Sequence, residues 1–180
     1  MPKKNIIDLL CEKGDEAVYN FFNLYVPENP NSQERIYGFP LQEEVFRDLL
    51  PHFTVGRDDT YLEDFALKLP QSNEENQQRI IDVGSKLFNE YIERDPLNIQ
   101  KVHNIIEIFG MPNPPYWSKL KVNHKQLLEY AKKVPKDATC EKEWVGTNPF
   151  YEILLQFIYV IQEDTPFEYK KEYMKFLIGK

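Results

Sequence analysis

The sequence predicts an all-α fold, an irregular bundle of about eight or nine helices around a central apolar helix at 149–162, with at most one short β-hairpin. Three observations carry this. Helix-start signals recur along the chain, apolar residues recur at helical spacing, and the 149–162 stretch is apolar nearly all round, which demands neighbours on every side. At 180 residues the chain fits a single helical domain, 1–180, which should bury roughly 70% of its extended-chain surface. The 12 Phe and 11 Tyr imply a core built on large rings.

The start signals are of two kinds. Thr60 to Glu63, Ser72 to Glu75 and Thr165 to Glu168 each read as a capping box, in which the hydroxyl accepts an amide N–H while the Glu reaches back. Asp95-Pro96, Asn148-Pro149 and Thr165-Pro166 pair a capping side chain with a proline whose missing N–H costs nothing at the first helical position. Gly14, Gly110 and Gly179 fall where helices should end.

Apolar stripes supply the helix bodies. In order they are Ile6, Ile7, Leu10 and Cys11; Val18, Phe21, Phe22 and Tyr25; Val45, Phe46, Leu49 and Leu50; and Leu62, Phe65, Ala66 and Leu69. Residues 73–94 form the longest candidate, with Ile80, Ile81, Leu87, Phe88, Tyr91 and Ile92 on one side. Ile99, Val102, Ile106 and Phe109 follow, then Leu127, Leu128, Ala131 and Val134, then 149–162, and last Phe167, Tyr169, Tyr173, Phe176 and Leu177. Strands are poorly supported: 17–26 fits a helix better, and 52–56 is too short to decide, so a small hairpin is expected there if anywhere. Pro, Asn and Gly concentrate in 26–40 and 110–118, which stiffens those stretches as loops.

Charge is divided unevenly. Residues 28–95 hold 15 Asp or Glu against 7 Lys or Arg, a net of −8, while 1–27 sum to −1 and 96–180 to +2. Such a field steers cationic partners in and turns nucleic acid away. Cys11 and Cys140 have no metal-ligand spacing, no signal-like run opens the chain, and the most apolar stretch, 150–161, is short of the ~20 residues a bilayer span needs. These features predict a cytoplasmic protein with reduced thiols and no membrane partner.

The sharpest polar cluster runs from Arg57 to Asp64. On a helix capped at Thr60, the carboxylates Asp58, Asp59, Glu63 and Asp64 crowd the first turn, where the helix dipole favours them. The same residues, extended by Glu43, Glu44 and Asp48, would make an acidic face for a cationic partner. A Mg²⁺ or Ca²⁺ site is a third reading, although the spacing matches no known loop. His103 and His124 sit on apolar faces and read as half-buried structural histidines, and His52 has no paired carboxylate pattern. No nucleophile elbow, phosphate loop or kinase signature is present, and carboxylates beside Cys140 would raise its thiol pKa.

A lysine run balances the acidic stretch: six Lys face only Glu129 between residues 116 and 136, a net of +5. With Tyr116 and Trp117 just ahead, the run could track phosphates, or it could be a solvated helix face. Every Arg lies between 35 and 94, so the run lacks the bidentate fork that favours phosphate. Trp117 fits either a plug in the bundle or a partner anchor. Three functional readings follow. First is an acidic protein-binding module, most concretely an immunity or antitoxin type of inhibitor covering a cationic partner such as a nuclease toxin, with Tyr116 and Trp117 counted in its contact set and no cofactor. Second is an enzyme with a dispersed or metal-dependent acidic site. Third is a nucleic-acid binder using the 116–136 lysines.

Overall fold

In a computed structural model, residues 4–24, 43–54, 61–94, 97–142 and 146–179 are described. Among these residues the fold is all-α apart from one hairpin. Asn5 opens the first helix, α1 (Ile6–Glu12), by accepting the Ile7 and Asp8 amides at 2.8 and 3.3 Å. Gly14, at φ +99°, then reverses the chain where a side chain would be strained, and α2 (Asp15–Leu24) follows at once. α1, which buries Ile6, Ile7, Leu10 and Cys11, and α2, which buries Val18, Phe21 and Phe22, both pack on the long helix α4 (Glu74–Glu93), which also carries α6 (His124–Lys133). A nine-residue 3-10 helix, Glu44–His52, lies along α1 and is called the edge helix below.

α3 (Tyr61–Lys68) packs on α1 and on α5 (Ile99–Gly110). α4 and α5 approach closely at Gly84, where a Cβ would stand 2.4 Å from the Phe109 ring, so only glycine lets that ring lie on the helix backbone. The hairpin pairs β1 (Thr139–Lys142) antiparallel with β2 (Gly146–Pro149), Cys140 opposite Asn148. Two strands alone are marginal in water, and β1 rests on α5 and α7 (Phe150–Ile161). α8 (Phe167–Gly179) closes the bundle over α6 and α7.

Several expectations need correction. The hairpin lies at 139–149, not near residue 52, because its strands have no apolar alternation to betray them. Ser72 does not cap α4; its hydroxyl donates to the Leu69 carbonyl at 2.7 Å and Asn73 takes the Glu75 amide instead. Thr165 likewise donates to Ile161 O at 2.8 Å. Asn148 belongs to β2, and Pro149 is the cap residue of α7. Thr60 and Asp95-Pro96 lie outside the described residues. α7 sits in the core as expected, with Leu154, Phe157 and Ile158 fully buried, but Glu152, Gln156 and Tyr159, about one per turn, open one edge to solvent. It shares the centre with α5, which buries Val102 through Ile106 without a break.

Candidate functional site

The acidic residues divide between an exposed edge and the interior. The edge helix anchors itself by Phe46 and Leu49, which are buried, with the Phe46 ring edge-on to Phe21 at 5.1 Å. That leaves Glu44, Val45, Arg47 and Asp48 outward, and Glu43 just ahead is exposed too. Lys13 holds Asp48 at 2.9 Å and the Lys4 amide donates to His52 Nδ1 at 3.1 Å, tying the helix to the N-terminal end of the chain. The first pair is solvent-exposed on the Asp side and contributes little stability; its effect is to place the carboxylate. Between α2 and the edge helix lies a depression of about 380 Å³ floored by Ala17 and Phe46 and bordered by Glu16 and Glu43. Leu24 and Val45, also at this depression, are 50% and 57% exposed.

Asp64 has a different fate. It is 9% exposed, accepts Thr54 N at 3.0 Å and Thr54 Oγ1 at 2.7 Å, and has the Lys68 ammonium at 3.6 Å. This clasp fastens the chain after the edge helix onto α3, so Asp64 is withdrawn from the surface while Glu63 beside it stays exposed. Asp58 and Asp59 lie outside the described residues. Among the described residues no group of three or more His, Cys, Asp or Glu could hold a metal ion.

Tyr116 and Trp117 are pegs. Tyr116 is buried and donates its hydroxyl to Gln77 Oε1 at 3.2 Å, with the Lys119 ammonium 4.7 Å over its ring. The Trp117 indole N–H donates to Ile106 O at 2.7 Å, its ring stands edge-on to Phe157 at 5.6 Å, and it covers Gly110, where a Cβ would meet the indole at 2.6 Å. Of the two readings for Trp117, the plug describes its contacts. One margin of the indole still lines a groove with Leu155, Tyr159, Val160 and Leu177. Neither ring stands free for base stacking, and the lysine run is dispersed: Lys121 pairs with Asp82 at 3.0 Å, whereas Lys132 and Lys136 border a different depression beside α8.

The remaining reactive side chains are built into the bundle. Cys11 and Cys140 are both buried, and burial pushes the Cys11 thiol up to about 11. His103 is fully buried rather than half-buried, with Nδ1 3.3 Å from Asn104 Oδ1 and Nε2 3.5 Å from Glu107. His124 Nδ1 is 2.8 Å from the Tyr173 hydroxyl at the α6–α8 contact, and burial lowers its pKa. Sequence reasoning missed Glu16 and Leu24 as parts of the α2 face, because their place beside Glu43 and Val45 comes only from folding. No family model matches the chain, and no curated protein and no solved structure matches it either.

Proposed function

We propose that this chain is a protein-binding module whose α2 and edge-helix face receives a cationic, partly apolar surface of another protein. One observation supports the reading above the others: Leu24 and Val45 lie half-exposed at a depression bordered by Glu16 and Glu43, with Glu44 and Asp48 continuing the rim. An apolar centre inside a charged rim is how protein interfaces are built, the centre giving affinity and the rim giving approach and register. Lys13 and Arg47 interrupt the rim, so the face selects a partner with patterned positive charge rather than any polycation. The most concrete version is an inhibitor of the immunity or antitoxin type, cytoplasmic, with carboxylates covering the basic active site of a nuclease toxin. Glu63, exposed on α3, is kept in the proposed contact set, whereas Asp64, Tyr116 and Trp117 leave it because their polar groups are spent inside the fold.

The enzyme reading loses support with Asp64 committed to Thr54, since it drew on that carboxylate together with Asp58, Asp59 and Glu63. The test is association with the basic protein encoded beside this one, followed by stopped flow. The expected rate falls with added salt, and the variant E43Q/E44Q/D48N/E63Q associates at least about tenfold more slowly at low ionic strength, the gap closing as screening sets in. A rate indifferent to salt and to these substitutions, or a neighbourhood with no basic product, would contradict the inhibitor reading.

A further inference from the structure

α8 has two apolar sides. One is the core side, where Tyr173 is fully buried and Tyr169, Phe176 and Leu177 lean on the bundle. The other is a line formed by Phe167, Met174 and Ile178, roughly 120° round the helix from Tyr173, with exposures of 81%, 37% and 78%. Phe167 therefore belongs to this outer line and not to the core stripe the sequence assigned it. Lys171 and Lys175 run along one flank. Next to Lys175 the surface dips into a depression of about 380 Å³ between α6 and α8, with Lys132, Lys136 and Lys175 at its edge and Tyr151 and Phe176 in its floor. None of the described residues lining it is acidic. Glu172 pairs with Lys175 at 3.6 Å, while Glu163, Asp164 and Glu168 sit at the opposite end of the helix, so positive charge gathers around Met174 and Ile178.

We propose that this face docks on an anionic phospholipid bilayer, with Met174 and Ile178 entering the boundary between headgroups and acyl chains and the three-lysine depression receiving a headgroup phosphate or carboxylate, while Phe167, beside Glu163, Asp164 and Glu168, stays at the margin of the contact. The proposal is independent of the acidic face. Among the described residues no helix is long and apolar enough to cross a membrane, but attachment in the plane of the interface needs only exposed apolar side chains framed by lysines. It departs from the expectation of no membrane partner, which considered spanning segments alone.

The shape selects this occupant. Met174 and Ile178 stand on the convex outer surface of the helix about 6 Å apart along its axis, which a fluid plane accommodates and a second protein could meet only with a matching groove. A nucleic acid would gain nothing from the apolar line and would find Tyr116 and Trp117 already engaged. The charge of the whole molecule orients the contact as well. The acidic edge helix packs on α1, whereas α8 packs on α6 and α7, so an anionic plane repels one part of the protein while attracting the other.

The experiment is co-sedimentation of the full chain with phosphatidylcholine vesicles, with and without about 30% phosphatidylserine. Binding is expected to the phosphatidylserine vesicles alone and to weaken with salt. K132Q/K136Q/K175Q and I178S should each lower partitioning by about tenfold, the expected scale for losing basic or apolar contacts at an interface. All four side chains are exposed, so unchanged melting curves verify that the variants are folded. Wild-type protein that ignores phosphatidylserine, or variants that partition as wild type does, would overturn the proposal. So would tight binding of a single-stranded oligonucleotide that the lysine variant loses and I178S keeps, which would make the depression a nucleic-acid site.

Discussion

The edge helix and α8 occupy comparable positions and carry opposite frames. Each lies at the surface on one well-buried anchor set, Phe46 and Leu49 in one and Tyr173 in the other, and each leaves large apolar side chains in solvent, Val45 at 57% and Ile178 at 78%. Glu43, Glu44 and Asp48 surround the first; Lys132, Lys136, Lys171 and Lys175 surround the second. Apolar exposure alone does not choose a partner, since the hydrophobic effect has no direction. The frame chooses, by admitting one sign of charge and charging a desolvation cost to the other. A chain with net charge −7 thus presents two surfaces of different sign, and its overall charge describes neither.

The comparison holds only while the bundle keeps the two surfaces fixed, and the largest expected effect lies there. Phe157 is fully buried between Phe88 at 5.3 Å and Trp117 at 5.6 Å. Phe157→Ala should cost about 3–5 kcal/mol in chemical denaturation, the range for aromatic truncation in a core. Tyr159→Ala on the open edge of α7, with Tyr159 58% exposed, should stay within about 0.5 kcal/mol. Equal losses would mean that α7 has no open edge.

A smaller effect separates the structural carboxylate from the presenting ones. Asp64→Asn weakens both hydrogen bonds from Thr54 and should cost about 1–3 kcal/mol, as buried polar groups left underpaired do. Glu43→Gln, Glu44→Gln and Asp48→Asn should each remain within about 0.5 kcal/mol while slowing capture of a cationic partner. If Asp64→Asn proved as silent in thermal melts as those three, the Thr54 clasp would carry no weight.

The smallest expected effect is a pH dependence on the α8 side. Burial holds the His124 imidazole below its ordinary value of 6.5, so the unfolded chain takes up the proton first. Its contribution to stability is complete above about pH 6.5 and is lost as pH falls through the lower folded value. Chemical denaturation between neutral and mildly acidic pH should show that decline, and His124→Asn should flatten it. A wild-type curve as flat as the variant's would remove His124 from the account.

The sequence made the helices legible because their buried faces repeat at helical spacing: Ile6, Ile7, Leu10 and Cys11 are all buried, as are Leu62, Phe65, Ala66 and Leu69. Local hydrogen-bond choices were harder to read. Ser72 and Asn73 are adjacent and both able to cap, and only the geometry of the Leu69–Gln71 turn sends the Ser72 hydroxyl back to Leu69. The site was the least legible. Asp64 lies away from the Leu62–Phe65–Leu69 stripe, which reads as outward, yet Thr54 folds across it from ten residues upstream. Glu16 and Glu43 meet at one depression only because α2 and the edge helix both pack on α1. The Cys140–Asn148 pairing likewise arises between strands whose residues show no period of two.

Two apolar surfaces on one small fold are told apart by their charge frames, and nuclear magnetic resonance titration can separate them. The probe is a short amphipathic peptide with arginine on one face and leucine on the other, added to the ¹⁵N-labelled full chain. Amide shifts are expected to concentrate in α2 and in Glu43 to His52, to diminish in E43Q/E44Q/D48N/E63Q, and to be absent along Met174 to Ile178. Shifts centred on α8, or shifts of the same size in the neutralised variant, would contradict that distinction.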